Sequence, residues 1–399
     1  MGLGDYLLLS KKKNKDGKSR PVYSVTNSQG FIPSEEYFSK EVYSKELRTY
    51  QVVKRNMIAY NPSRINVGSV ALQNKESEVI VSPLYVVFSV DESRLLPGYV
   101  VSFLKSAPGL SQIEFRSTGT VRNTLKFDAL CRLELSVPSI DEQQTRLGRL
   151  KSIEGQIELR KKYLEKLNDL VKSQFIEMFG DPESNPRDWR VATIGELATD
   201  VRYGTSKSAK GGSYKYIRMN NITYDGTLDL TDIKFIDLEG DELKKAEVVK
   251  GDLLFNRTNS RDQVGKTCVF NLDEPMVIAG YIVRVRLCPE VIPEYVSGFL
   301  NSDYGKRLLR AMAHGAINQA NINAAEMQSI AIPVPPAELQ EEYLRLLNEV
   351  DKLEFAARWG LRKCETACSV IMSELSSTNT VAGEMATGCS KAKGIAGLW

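Results

Sequence analysis

The chain repeats itself, and that limits its folds more than any other feature. LLPGYVVSFLKS (95–106) and VIPEYVSGFLNS (291–302) align at an offset of 196: Pro97, Tyr99, Phe103, Leu104 and Ser106 answer Pro293, Tyr295, Phe299, Leu300 and Ser302. LELSVPSIDEQQ (133–144) and IAIPVPPAELQE (330–341) align at 197, matching Leu133, Leu135, Val137, Pro138 and Gln143 to Ile330, Ile332, Val334, Pro335 and Gln340. VKRNMIAYN (53–61) against VKGDLLFNR (249–257), Gly119 against Gly315, and Leu3-Gly4-Asp5 against Ile194-Gly195-Glu196 extend the series. Collinear anchors at nearly one offset define a duplication whose copies are each domain-sized.

Each copy ends alike: a short alternating apolar strand, a proline, then a long charged helical run. In the first run Leu147, Leu150, Ile153, Ile157, Leu164, Leu167, Val171 and Met178 recur at spacings of 3, 4 and 7; in the second Leu339, Tyr343, Leu346, Leu347, Val350, Leu353, Ala357, Leu361, Cys364 and Cys368 do so. That period predicts helices with one apolar stripe close to a heptad pattern. Gly180 with Pro182 just beyond is a stop signal for the first. A helix of about 40 residues spans about 60 Å, too long for a narrow stripe to bury against a small domain, so the other long helix is the simplest partner. The order domain–helix–domain–helix favours antiparallel pairing. The expected architecture is α+β: two similar α/β domains over 1–140 and 183–336, separated by a coiled coil of two long antiparallel helices over 141–182 and 337–376, with an internal pseudo-two-fold repeat and a disordered tail over 377–399.

Composition removes several function classes. The 399 residues are 42% hydrophobic and 26% charged, a globular composition, and no apolar run approaches the roughly 18 residues of a membrane span. A secretory signal is not legible, because the basic cluster follows a very short apolar stretch; the reading is a cytoplasmic protein. His314 is the single histidine, so histidine-based zinc sites and HNH-type nuclease centres cannot be built. The six cysteines are scattered, which predicts no metal site and free thiols. Gly17-Lys18-Ser19 lacks the earlier glycine of a phosphate loop, Asn61-Pro62-Ser63 lacks the aromatic residue and AdoMet loop of an amino-methyltransferase, and the acidic cluster before Glu242-Leu243-Lys244 lacks the Pro-Asp start of a nuclease motif. No catalytic constellation is present in the sequence.

What remains is polar loops on a duplicated frame. NRTNSRDQVGK (256–266) holds Arg257, Asn259 and Arg261, and its counterpart YNPSRINVGS (60–69) holds Asn61, Arg64 and Asn66. Arginine reads guanine and asparagine reads adenine by paired hydrogen bonds. KSAKGGSYKYIRMNN (207–221) adds Lys207, Lys210, Arg218, Asn220 and Asn221 with interleaved tyrosines; Lys11, Lys12 and Lys13 form a basic arm suited to phosphate. Residues 1–180 carry 27 Lys+Arg against 20 Asp+Glu, and residues 181–399 carry 26 against 30, so the net +3 divides as +7 and −4. Two domains on a rigid spacer imitate a DNA-binding dimer, whose half-sites lie roughly 34 Å apart. Because the copies have diverged, the half-sites should differ.

At these residues the sequence resembles the specificity subunit of type I restriction-modification systems, the HsdS family. The likeness covers about 3–376. It is carried by Ile332-Pro333-Val334-Pro335-Pro336 with Glu338 and Gln340, and by the weaker Val137-Pro138 copy. Gly251-Asp252-Leu253-Leu254-Phe255 before the Arg257/Asn259 loop, Phe175-x3-Phe179-Gly180-Asp181-Pro182 before Trp189, and Gly315-x-Ile317-Asn318-Gln319 also carry it. In the first copy Arg55-Asn56 replaces Gly-Asp. The resemblance implies a non-catalytic DNA-binding subunit with two target-recognition domains, each reading half of a bipartite asymmetric site in double-stranded DNA. It implies partners: two methyltransferase subunits, with restriction subunits in the full complex. AdoMet, ATP and Mg²⁺ would sit in those partners, with no cofactor in this chain. His314 and Gln319 would then lie near DNA. Leu147, Leu150, Ile157, Leu164, Leu167 and Val171, with Tyr343, Leu346, Leu347, Val350, Leu353 and Leu361, would form the helix-pairing and partner surface. Alternatives are the specificity subunit of a methylation-only or type IIB-like system, or a coiled-coil adaptor that binds no DNA.

Overall fold

Duplication in sequence becomes duplication of strand order. The computed structural model describes residues 2–16, 19–37, 46–117, 124–316 and 319–374; the expected tail over 377–399 lies outside them, as do Ile317 and Asn318. In the first copy Leu7–Ser10, Val86–Val90, Ile58–Tyr60 and Val70–Leu72 lie side by side in that order, every pairing antiparallel. In the second, Ala198–Tyr203, Ile282–Leu287, Leu253–Asn256 and Thr267–Val269 do the same. A further antiparallel pair accompanies each: Gln51–Lys54 with Glu78–Val81, and Glu247–Val248 with Met276–Ile278. These segments are short and rich in β-branched residues, which suit a pleated surface.

Alternation along the strands feeds a different core on each face. Ile58, Tyr60 and Phe88 enter one cluster with Tyr99 and Phe103, while Ala59 and Val87 enter another with Val25 and Val53. In the second copy Leu253, Phe255 and Val283 join Tyr295 and Phe299, while Leu254 and Ile282 join Cys268 and Phe270.

The chain divides into two compact units: residues up to Leu159 together with those from Gly360 onward, and Arg160–Trp359. Two long helices, Ile140–Phe179 and Ala337–Glu374, contribute to both. Within the first unit, Leu147 and Leu150 near the start of one helix share a core with Cys368, Ile371 and Met372 near the end of the other. There Arg146 Nη1 also donates to the Glu374 carbonyl at 2.9 Å. Within the second unit the ends are exchanged: Phe175 and Phe179 pack on Tyr343 with ring centroids 5.6 and 5.2 Å apart. The helical segments therefore meet antiparallel inside each unit, and no helix among the described residues is long and apolar enough to cross a membrane.

Two polar devices recur in both copies. The Gln143 side chain is fully buried; its Oε1 accepts from the Leu96 N–H at 2.8 Å, and its Nε2 donates to the carbonyls of Arg94 at 3.0 Å and Pro138 at 2.9 Å. Gln340 is buried alike: Oε1 accepts from the Ile292 N–H at 2.9 Å, and Nε2 donates to Glu290 at 3.1 Å and Pro335 at 2.8 Å. Each glutamine ties the start of a long helix to the proline segment before it, which forms a strand only in the second copy (Ala331–Pro333) and a single bridge at Glu134 in the first, and to the turn entering Pro97–Lys105 or Pro293–Asn301. It satisfies backbone groups that burial would otherwise leave unpaired. Beyond those short helices, Ser106 Oγ accepts from the Gly109 N–H at 3.2 Å and Ser302 Oγ from the Gly305 N–H at 3.0 Å, as helix N-caps do. A Cβ on Gly109 or Gly305 would stand 2.0 or 2.2 Å from the carbonyl oxygen of Phe103 or Phe299, so both turns admit only glycine.

The second unit carries additions. Tyr214–Ile217 inserts between Lys234–Ile236 and Met276–Ile278. Thr258–Asn259, Gln319–Asn321 and His314–Ala316 form a separate three-stranded sheet in that order. The segments expected to be polar loops around Arg257 and His314 are thus partly strand.

Candidate nucleic-acid interface

That small sheet joins two stretches that the sequence marked separately. Thr258 lies opposite Asn321 and Asn259 opposite Ala320, while His314 lies opposite Asn321 across the hairpin. Thr258 Oγ1 donates to Asn321 Oδ1 at 2.9 Å, and the Ile322 N–H to the Arg257 carbonyl at 2.9 Å. Arg257, Asn259, His314 and Gln319 therefore rise from one scaffold. The side chains of Arg261, His314 and Gln319 are exposed, and His314 Nε2 stands 3.4 Å from Glu326 Oε1.

Arg257 is the most constrained of them. Its guanidinium lies 5.0 Å from the centre of the Tyr203 ring, a cation–π geometry. Tyr203 is fixed in turn, its hydroxyl oxygen accepting from the Ala324 N–H at 2.9 Å. Arg257 and Tyr203 line an open cleft of about 470 Å³ with Thr205, Ser206, Glu242 and Lys245. The lining carboxylate Glu242 tethers a lysine from outside the cleft: Lys207 Nζ pairs with it, and it also accepts from Thr205 Oγ1 at 2.6 Å. Lys207 and Thr205 together hold the Glu242 carboxyl below the usual carboxylate range. Because the folded-state value is depressed, this tether is present at neutral pH and is lost only as pH falls through that lowered value.

The run 207–221 divides by burial. Lys207, Lys210 and Asn220 are exposed. Arg218 is half-buried and pairs with Asp232 at 2.8 Å. Asn221, expected to read bases, is committed elsewhere: it is 1% exposed, its Oδ1 accepts from the Arg218 N–H at 2.9 Å, and its Nδ2 donates to the Asp229 carbonyl at 2.8 Å. Its amide edge holds a turn and has no face toward a ligand. Tyr216 is also buried, donating to the Lys207 carbonyl at 3.1 Å. The brace Asn256, fully buried, donates from Nδ2 to the Met219 carbonyl at 3.2 Å and so fixes the Arg257 loop against the 218–221 turn.

The first unit offers a plainer surface. Arg64 and Asn66 are exposed on a short helical turn over Ile65–Val67, and half-buried Asn61 closes the preceding turn by accepting from the Ser63 N–H at 3.0 Å. Lys11, Lys12 and Lys13 are exposed beside the Gln51–Lys54 strand, with Lys12 Nζ 3.5 Å from Glu78. Glu78 also takes Arg20 at 2.8 Å, so one carboxylate from the Glu78–Val81 strand is shared between Arg20 and the Lys12 position of the basic arm.

On the long helices the apolar stripe is seated with one exception. Leu150, Leu167, Tyr343 and Val350 are buried, and Leu147, Ile157, Leu164, Val171, Leu346, Leu347 and Leu361 half-buried. Leu353 is 46% exposed, because the seam steps from Val350 to Glu354 and Ala357, and a residue one position off the seam turns about 100° away from it. Arg160 occupies the seam position between Ile157 and Leu164, a charged place that the apolar reading passed over. Tyr203, Thr205 and Lys245 were also missed; nothing in their spacing marks them, since Tyr203 lies far from Arg257 in sequence.

The profile of the family described as Type I restriction modification DNA specificity domain matches residues 4–169 and 186–358. The chain belongs to this family. The two matches follow the duplication and together span most of its length. Among curated relatives, a putative type I restriction enzyme specificity subunit, MjaX, of Methanocaldococcus jannaschii is 27% identical over 174 residues, covering 42% of this chain and 40% of the relative. The EcoKI specificity subunit of Escherichia coli is 21% identical over 276 residues, 65% of this chain and 59% of the relative. The aligned region thus spans about half the length of these relatives. Two solved structures share the fold. One, from a study of assembly and conformational transition of the type I R-M system, has a TM-score of 0.57 at 16% identity, covering 94% of this chain and 96% of that one. The other, the S subunit of a type I system from M. genitalium, has a TM-score of 0.54 at 13% identity, covering 95% and 96%.

Proposed function

We propose that this chain is the sequence-specific DNA-binding subunit of a type I restriction-modification complex, reading a bipartite, asymmetric double-stranded site with one half per unit. The observation that carries this reading is the contrast between frame and surface. Both units keep the same strand order, the same buried glutamine and the same serine–glycine turn, yet the polar side chains they display differ: Arg257, Asn259, Arg261 and Gln319 in the second, Asn61, Arg64 and Asn66 in the first. Conserving a scaffold while varying arginine and asparagine on it is what two unlike half-sites require.

The chain supplies no chemistry in this reading. Methylation and cleavage belong to two methyltransferase subunits and to restriction subunits, which would bring AdoMet, ATP and Mg²⁺ in the cytoplasm. The long helices offer exposed apolar positions for docking them: Leu159, Tyr163 and Ile176 on the first, Leu353, Phe355 and Trp359 on the second.

Long-read methylation mapping of the host chromosome, with and without this gene, tests the proposal. The expected result is loss of methyl-adenine at one split, asymmetric motif on deletion. A map unchanged by deletion, with the neighbouring methyltransferase expressed, would sink it and favour an adaptor that binds no DNA. Loss of the motif without any loss of restriction would assign the chain to a methylation-only system.

A further inference from the structure

The helix Asp303–Met312 turns a basic face onto a second cleft, of about 280 Å³, bounded on one side by Lys172 of the first long helix. All of it lies within the second unit. Lys306, Arg307 and Arg310 come from the short helix, Asn301 from the end of the helix before it, and Tyr224 with Asp225 from a loop. Lys306 is held in place: its ammonium donates to Asn301 Oδ1 at 2.7 Å and lies 4.6 Å from the centre of the Tyr224 ring. Asn301 is itself anchored, donating to the carbonyls of Thr267 and Ser297, each at 2.9 Å. An ammonium has three donors, and this support accounts for one of them.

The other cations are loosely matched. Lys172 stands 3.8 Å from Asp225, and Arg310 stands 3.4 Å from Asp262 and 3.5 Å from the Tyr224 hydroxyl. Only Arg307 makes a close pair, with Glu183 at 2.7 Å. Four cations and two carboxylates, Asp225 and Asp303, line the space, and Asp262 and Glu183 reach Arg310 and Arg307 from outside it, which leaves Lys306 with no carboxylate of its own among the described ion pairs. Burial pushes the Lys306 ammonium down to about 8, with Lys172, Lys266 and Arg310 acting in the same direction and Asp225 against them. A bound anion would relieve that crowding.

The duplication supplies a control. At the offset of 196, Lys306, Arg307 and Arg310 correspond to Leu110, Ser111 and Glu114 of the equivalent helix Ala107–Arg116. The frame folds there without any of the three charges, so fold maintenance does not explain them. We infer that this cleft binds a phosphate group, held by half-buried Lys306 together with the exposed Lys172 and Arg310. A tetrahedral dianion offers several acceptor oxygens to donors arriving from two helices, which suits a lysine–arginine cluster better than a single carboxylate would. The phosphate can be one of the backbone of a nucleic acid or a free one. The inference does not depend on the DNA-reading proposal, because free phosphate alone tests it.

The test compares thermal unfolding of the full chain in 10 mM inorganic phosphate and in chloride of equal ionic strength. A specific site with a millimolar dissociation constant is expected to raise the midpoint by about 3 °C more in phosphate. Lys306→Leu, which copies the first unit, and Arg310→Gln should abolish that difference; Lys172→Met, at an exposed helical position, keeps the test open if Lys306→Leu fails to fold. The salt dependence of duplex binding then separates the sources. A slope reduced by about one in the variants identifies a backbone phosphate, and an unchanged slope with the phosphate shift lost identifies a free one. Equal midpoints in phosphate and chloride for the parent chain, or a phosphate shift that survives the substitutions, would overturn the inference.

Discussion

Replacing Gln340 with leucine is expected to cost the second unit about 3 kcal/mol of stability and to leave the first nearly untouched. The buried side chain satisfies one N–H and two carbonyls, those of Ile292, Glu290 and Pro335. Leucine fills the volume but pairs none of them, and an unpaired buried donor costs more than the net worth of the bond it lost. Gln143→Leu should do the same in the first unit through Leu96, Arg94 and Pro138. Hydrogen exchange read by mass spectrometry separates the two. Gln340→Leu should release the amides of 290–300 and spare 94–104, and Gln143→Leu should reverse the pattern. Equal loss of protection in both stretches, or in neither, would refute the claim that these glutamines are local knots.

The second large effect concerns binding. Arg257→Ala together with Arg261→Ala should weaken affinity for the target duplex by about 100-fold, since each good arginine contact to a base contributes about 1–3 kcal/mol. The two residues should not behave alike. Arg257 is positioned by the Tyr203 ring, so Arg257→Lys, which keeps the charge but loses the planar fork, should recover little. Arg261 is exposed, and Arg261→Lys should recover most of its share if that residue meets phosphate. Titration of labelled duplex at two salt concentrations checks this. Unchanged affinity in the double alanine variant would remove the Arg257 scaffold from the interface.

Much of the frame was legible before any coordinates. The repeat anchors proved to be the parts that build the fold twice: Tyr99 and Tyr295 in the cores, Ser106 and Ser302 at the caps, Gln143 and Gln340 in the knots. The serines and glutamines keep their identity in both copies because their partners are backbone groups fixed by the fold, and the tyrosines because both fill the same place in a core. The heptad stripe was legible for the same reason, a local period producing a buried seam. Surface roles were harder to read. Asn221 has the composition of a base reader, but whether an asparagine faces a ligand or its own turn depends on contacts the sequence does not display. The small sheet joining Thr258 to Asn321 pairs strands of two or three residues across some 60 positions, too short to show alternation. The basic face of Asp303–Met312 did carry a signal, cations at 306, 307 and 310 on adjacent turns, and its contrast with Leu110, Ser111 and Glu114 could have been drawn from the alignment of the copies alone.

The division of the chain has a consequence for its biosynthesis. The first core is sealed by Cys368, Ile371 and Met372, which lie near the end of the second long helix. Everything needed for the second unit lies between Arg160 and Trp359. A ribosome working from the amino terminus therefore finishes the second unit while the first still waits for its closing segment. The domain begun earliest is the last to be completed, and a chain released a few dozen residues early would carry a finished second unit beside a first one with its core open to water.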